Sequence, residues 1–279
     1  MFKKIYKKIN DRIKRYLFAA DGVKFSKRYD FLKSFLGWSS NIEWDSSLQV
    51  FLVSDSHFSL RVPRKSRLKY YQRGVENRLR KIINEYQILD IILSRDDIIL
   101  DIGANIGEFS MALARDNDLR VIAVEPEEIE VCALRENLKG INSEIYVTPV
   151  WSEVGTRDFF PCNDSGDSSL ICQDTAIQPI SVDVTTVDEV LRVSQLINPT
   201  ESIKLVKLEA EGAEPEVLLG MEKTLSRVEF IAVDVGAERG LSKENTLIDV
   251  LDTLMPRGFR PIKFGLPRAV LLLRNTQMD

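Results

Sequence analysis

From Asp97 onward the chain alternates short apolar runs with amphipathic stretches, an order that few architectures accommodate. Strand-like runs occur at 97–102 (DIILDI), 120–125 (RVIAVE), 144–150 (EIYVTPV), 203–209 (IKLVKLE) and 228–235 (VEFIAVDV). The intervening stretches 107–116, 127–139, 214–225 and 242–255 have the spacing of helices with one apolar face. Strands that are apolar on both faces and alternate with helices build a parallel sheet with right-handed crossovers. The predicted fold class is α/β, a doubly wound, Rossmann-like sheet over 97–279. Its closing segment, GFRPIKFGLPRAVLLLRN, reads as two strands joined at FGLP, an antiparallel ending to a mostly parallel sheet.

Residues 1–96 read as an α/β extension to that domain. Phe2, Ile5, Tyr6, Ile9, Ile13, Tyr16 and Leu17 recur at helical spacing, with lysines between them. This helix over 1–20 either packs on the domain or makes a peripheral membrane contact. Strand-like pieces follow at LQVFLV and FSLRV, then a helix from Val75 to Leu93. Between the third and fourth strands of the main domain lies a long, polar, turn-rich gap, read either as a lid facing the substrate or as a disordered insertion. It ends in TTVDEVL, where Thr186 and Glu189 have the spacing of a capping box.

Composition narrows the chemistry. The 279 residues carry a net charge of −4, three cysteines and a single histidine, His57. One histidine removes His-based zinc sites and argues against a Cys/His nucleophile. Three cysteines suit reduced thiols and a cytoplasmic location, with Cys162 and Cys172 as loop thiols. Residues 1–17 hold seven Lys/Arg against one Asp, so the remainder carries (38 − 7) − (42 − 1) = −10. An acidic body with local basic patches is not the profile of a nucleic-acid binder. The basic stretch from Arg61 to Lys81 reads as a solvated helix face or as a grip on an anionic acceptor.

Ligands of an open parallel sheet bind beyond the carboxyl ends of its strands. After the first strand come Asp101, Gly103, Asn105 and Gly107, a turn whose glycines let backbone amides approach a ligand. The G-x-G-x-x-G spacing of dinucleotide sites is absent. The second strand ends in Glu125–Pro126, where a carboxylate suits the two hydroxyls of an adenosine ribose and repels a 2′-phosphate. Asp101, Glu125, Glu209, Glu211 and Asp234 all project from strand ends towards one crevice, which disfavours phosphates. A donor that joins adenosine to cationic centres, S-adenosylmethionine, meets those demands.

KLEAEGAEPEVLLG places Glu209, Glu211, Glu214 and Glu216 within eight positions. Glu214 and Glu216, with Pro215, suit the first turn of a helix. Glu209 and Glu211 share one side of the chain at the strand end. Glu211 is the candidate general base or acceptor anchor, with Glu209 in support. Asp234, Glu238 and Arg239 in DVGAERG are candidate substrate contacts or a plain loop turn. No metal is assigned, the alternative being a divalent ion on Glu209, Glu211 and Asp234. A nucleic-acid base methyltransferase would carry a D/N-P-P-Y-type element where this chain has LEAEG.

LDIGANIGEFSMALA, VIAVEP, LRENL, VWSEVGT, TTVDEVL and IKLVKLEAEGAEPEVLLG follow the order found in FkbM proteins, and the chain resembles that family of S-adenosylmethionine-dependent methyltransferases over roughly 75–275. The resemblance implies a class I methyltransferase sheet and O-methylation of a small-molecule, sugar, glycan or natural-product acceptor. It implies that Asp101, Gly103, Ala104, Asn105 and Gly107 cradle the methionine end and that Glu125 holds the ribose. Pro126 would lie against the adenine, with Trp151 and Ser152 at its edge. The family commonly has aspartate where this chain has Glu209, one methylene longer beside the transferring methyl. The alternative function is a non-catalytic module of this fold, docked on a membrane through its basic N-terminal helix.

Overall fold

A computed structural model describes residues 11–115, 117–162 and 166–278. Residues 11–18 are helical, and the first half of the helix expected over 1–20 lies outside the described residues. The chain divides into two compact units, residues 1–78 and 79–279.

The first unit contains helix α1 (Gly22–Leu36) and three antiparallel strands, β1 (Asn41–Asp45), β2 (Val50–Ser54) and β3 (Ser59–Val62). Phe25 and Tyr29 of α1, Ile42, Phe51, Val53, Leu60 and Val62 of the sheet, and Leu68 and Tyr71 after it are buried. Phe25 meets Phe51 edge-on with ring centroids 5.2 Å apart, a favourable arrangement of the two quadrupoles. The Arg61–Lys81 stretch is not a solvated face throughout, because Arg64 and Arg78 are only 5% and 7% exposed. Helix α2 (Val75–Glu85) begins at the end of this unit, and Asp55 Oδ2 accepts the Glu76 N–H at 2.8 Å to cap it. It stops eight residues short of the expected Leu93, at Gln87, whose φ of 60° is incompatible with a helix.

The second unit is built on seven strands: β4 (Ile98–Ile102), β5 (Arg120–Val124), β6 (Asn142–Tyr146), β9 (Ile203–Leu208), β10 (Val228–Asp234), β13 (Phe259–Gly265) and β14 (Val270–Asn275). Their order is β13-β14-β10-β9-β4-β5-β6. The β9, β4, β5, β6 and β10 pairings are parallel, and β14 runs antiparallel to both β10 and β13. The sheet is thus the mostly parallel, Rossmann-like one expected. Chain order reverses at β4, which has β5 on one side and β9 on the other, so the ligand crevice opens above β4 and β9. All five residues of β4 are buried, as are five of the six of β9, which explains their unbroken apolar character.

Helices α3 (Glu108–Ala114) and α4 (Glu128–Asn137) follow β4 and β5. The long polar gap contains a two-stranded ladder, β7 (Gly155–Phe159) with β8 (Ile180–Val184), that its polar sequence hides. Thr186 caps α5 (Val187–Val193), accepting the Glu189 N–H at 3.1 Å. The single helix expected over 214–225 is two, α6 (Glu214–Leu219) and α7 (Glu222–Leu225). They part at Gly220, where a Cβ would stand 2.1 Å from the Trp151 carbonyl oxygen. A small ladder, β11 (Ala237–Arg239) with β12 (Glu244–Asn245), precedes α8 (Leu247–Leu254). Cys132, Cys162 and Cys172 are free thiols. Among the described residues no helix is long and apolar enough to cross a membrane.

Candidate active site

The turn after β4 is folded tightly against the end of β9. Gly103 has φ +70°, and a Cβ there would stand 2.0 Å from the Glu209 carbonyl oxygen. The N–H groups of Gly103 and Ala104 both donate to the Val124 carbonyl at 3.0 Å. Asn105, also left-handed at φ 51°, donates its N–H to Glu125 Oε2 at 2.8 Å, and Glu127 N–H donates to Oε1 at 2.9 Å. Glu125 therefore closes the glycine turn from β5 while keeping a lone pair on each oxygen for a further donor. Burial pushes its carboxyl up to about 7, against the pull of those two N–H groups. Gly103→Ala combines an unfavourable left-handed alanine with a backbone clash. It is expected to cost about 1–3 kcal/mol in denaturant unfolding and to abolish cofactor heat in calorimetry.

Each of the four glutamates after β9 has a distinct setting. Glu209 accepts from the Tyr86 hydroxyl and pairs with Arg268 and, at 3.3 Å, with Lys207. Glu214 is 1% exposed and folds back onto the turn, accepting from Ala210 N–H at 2.8 Å and Gly212 N–H at 3.2 Å. Glu216 forms a two-pronged pair with Arg239 at 2.8 and 2.6 Å, and Arg239 also donates to the Gly212 carbonyl at 2.6 Å. Of these four, among the described residues, only Glu211 has no hydrogen-bond partner for its carboxylate. Its backbone is held left-handed at φ 51°, with its carbonyl accepting from Ser169 Oγ and Gln173 Nε2, both at 2.8 Å. Burial, then the neighbouring Glu238 and Asp167, raises its carboxyl well above the usual range. Glu238 is pushed up to about 8 by burial, with Asp234 and Glu214 adding to it.

The crevice is less acidic than a count of carboxylates suggests. Lys207, with a side chain 4% exposed, lies 3.1 Å from Asp101 Oδ1 and donates to the Ile102 and Gly103 carbonyls at 3.2 and 2.5 Å. Ser110 Oγ donates to the other Asp101 oxygen at 2.6 Å. Arg268 bridges Glu209 and Asp234, with its Nε 2.6 Å from Asp234 Oδ2, and its guanidinium lies 5.1 Å from the centre of the Tyr86 ring. Burial raises the Tyr86 phenol well above its usual range, so it remains a donor to Glu209. Lys207 had a readable signal: a lone cation inside an apolar strand, two residues before Glu209 and on the same face. Tyr86 and Arg268 had none, being far from Glu209 in the chain.

Asp101, Gly103, Ala104, Asn105, Gly107, Glu125, Glu209, Glu211, Asp234 and Glu238 thus gather at the β4, β5, β9 and β10 ends. Pro126 is half-buried directly after Glu125. Trp151 and Ser152 are half-buried beyond β6, where Trp151 N–H donates to the Thr185 carbonyl at 2.7 Å. Among the described residues no hydrogen bond joins them to the rest of the group. Part of the polar gap reaches the site: Ser168 Oγ donates to Glu127, while Ser169 and Gln173 hold Glu211. Among the described residues no group of three or more His, Cys, Asp or Glu is arranged to hold a metal ion.

Two observations test the site against S-adenosylmethionine. Asn105 Oδ1 is buried beside the glycine turn without a hydrogen-bond partner, an acceptor awaiting a donor such as an ammonium or hydroxyl. Lys207 and Arg268 are both paired with carboxylates, so neither offers itself to a phosphate. The residues present fit the cationic adenosyl donor.

Raised carboxyls also set the pH dependence of stability. Glu125 and Glu238 bind a proton more tightly in the folded chain than in the unfolded one. Their contribution is complete below about 4.5 and is lost as pH rises through about 7 and about 8. Thermal unfolding of the cofactor-free protein is therefore expected to show Tm falling between pH 5 and 8, with a smaller fall in Glu125→Gln. An identical slope in that variant would refute the assignment.

Residues 101–261 match the family model described as the methyltransferase FkbM domain. The chain is 26% identical over 235 residues to the 2-O-methyltransferase NoeI of Sinorhizobium fredii, covering 77% of this chain and 94% of that protein. Among solved structures it resembles an S-adenosylmethionine-dependent methyltransferase from Aquifex aeolicus, at 14% identity and a TM-score of 0.42, over 75% of this chain and 92% of the other. It also resembles a precorrin-6y C5,15-methyltransferase from Geobacter metallireducens, at 13% identity and a TM-score of 0.39, over 71% and 87%. The family match spans 261 − 101 + 1 = 161 of the 279 residues, from the glycine turn to the first strand of the closing hairpin. The chain belongs to the FkbM family of S-adenosylmethionine-dependent methyltransferases.

Proposed function

We propose that this methyltransferase acts on a hydroxyl oxygen of a sugar, glycan or similarly hydroxylated acceptor, with Glu211 as general base. The observation that carries the reading is the uncommitted Glu211 carboxylate, the one member of the four-glutamate run without a hydrogen-bonded partner among the described residues. The printed activity of the relative NoeI, 2-O-methylation, supports oxygen as the acceptor atom.

Bound S-adenosylmethionine supplies a methyl carbon activated by positive sulfur, and what remains for the chain is to align the acceptor and remove its proton. A hydroxyl attacks poorly until its proton leaves, and Glu211 takes that proton. Its raised pKa makes it a stronger base than an ordinary glutamate. Glu238, also raised and felt by Glu211 as a neighbouring charge, offers a second carboxyl to an acceptor hydroxyl. Ser169 and Gln173 keep Glu211 in its left-handed backbone conformation, and Glu214 shapes the turn beneath it. Glu209, held by Tyr86, Lys207 and Arg268, orients the strand end rather than moving a proton.

A radiolabelled methyl-transfer screen across glycans, sugar nucleotides and small hydroxylated metabolites tests the reading. Label recovered in an alkali-stable methyl ether is the expected result, and label recovered only on nitrogen or carbon would overturn it.

A further inference from the structure

We propose that the outward face of α1 is a docking surface for a bilayer with anionic headgroups. The helix buries Phe25, Ser26 and Tyr29. On the opposite side, four residues apart along one stripe, stand Val23, Lys27, Phe31 and Phe35, with Lys24 beside them. Phe31 is 62% exposed and Phe35 73%, and their rings contact each other with centroids 5.3 Å apart. Two adjoining phenylalanines on the solvent side of a helix keep apolar area in water that a monomer has no reason to expose.

The neighbouring charges say what covers them. Arg28 lies over the Tyr16 ring and Lys33 bonds to Asn41, whereas Lys24 and Lys27 flank the phenylalanines and are exposed. Asp30 is the one carboxylate on this helix, and it lies towards the side of the stripe. Residues 1–36 hold eleven Lys/Arg and three Asp, 11 − 3 = +8, while the remainder carries (38 − 11) − (42 − 3) = −12. A protein partner of ordinary composition would not require such a segregation. An anionic headgroup layer would, drawing the basic segment to it and setting the two phenylalanines at the headgroup–acyl boundary.

Flotation of the full chain with large vesicles tests the assignment. Vesicles of phosphatidylcholine alone are compared with vesicles containing phosphatidylglycerol, at low and high salt. The expected result is partitioning onto the anionic vesicles only, lost at high salt. Phe31→Ser/Phe35→Ser and Lys24→Glu/Lys27→Glu should each weaken it about tenfold or more. Circular dichroism and Tm of both variants should match the parent, since all four side chains face solvent. The proposal is overturned if the parent ignores anionic vesicles at low salt, or if the Phe31→Ser/Phe35→Ser variant floats like the parent. It is equally overturned if sedimentation velocity shows that this variant loses a self-association while vesicles bind neither form. Binding to a single-stranded RNA oligonucleotide with no vesicle binding would likewise replace the bilayer with a nucleic acid.

Discussion

Glu211→Gln should lower kcat by roughly a thousandfold and leave cofactor affinity unchanged, because a general base contributes about 10²- to 10⁴-fold. Glutamine keeps the shape and the hydrogen-bonding carbonyl of the side chain and loses only the ability to take a proton. Acceptor KM should therefore move little, and the loss should appear in kcat. The parent enzyme carries a second signature. A general base works only when deprotonated, and burial beside Glu238 and Asp167 raises the pKa of Glu211. The rate should thus climb with pH beyond the range where an ordinary glutamate has finished titrating, and that climb should vanish from the residual activity of Glu211→Gln. Calorimetry with S-adenosylhomocysteine on both proteins separates the two roles: a variant that binds it as the parent does and turns over at the parent rate removes Glu211 from the mechanism.

Lys207→Met should be the most damaging substitution for the fold of the site. Methionine fills the same channel, but Asp101, itself 0% exposed, and Glu209 lose the ammonium that lies 3.1 and 3.3 Å from them. Removing one partner of a buried pair typically costs about 3–5 kcal/mol, because the surviving charge stays out of water without compensation. Unfolding midpoints in urea would record that loss, and cofactor binding should disappear with it, since Lys207 also ties down the Ile102 and Gly103 carbonyls. Adding Asp101→Asn to Lys207→Met removes the charge left buried without a cation, since Glu209 keeps Arg268, and should recover part of the stability, with a coupling of about 1–3 kcal/mol. Strictly additive losses in the double variant would show that Lys207 acts by packing and not by charge.

Asp101, Glu209 and Asp234 illustrate how far a strand-end tally reaches. Apolar runs with period and length suited to a parallel sheet place all three at the carboxyl ends of β4, β9 and β10, as observed. That tally also implies an uncompensated acidic crevice, which the fold does not build, because Lys207 and Arg268 lie between the carboxylates. The helix expected over 214–225 divides for a related reason. The break falls at Gly220, a poor helix former locally, and a side chain is excluded there because a Cβ would stand 2.1 Å from the carbonyl oxygen of Trp151, 69 positions away (220 − 151).

Hydrophobic period, glycine spacing and the Glu125 strand end are local quantities, expressed over a few consecutive residues, and they suffice for the sheet, its helices and the glycine turn after β4. Charge compensation depends on distance through space. Tyr86, Lys207 and Arg268 meet at Glu209 only after β10 and β14 have stacked beside β9. Which of the four glutamates keeps an uncommitted carboxylate was therefore a matter for the assembled sheet, where among the described residues three acquire hydrogen-bonded partners and Glu211 does not.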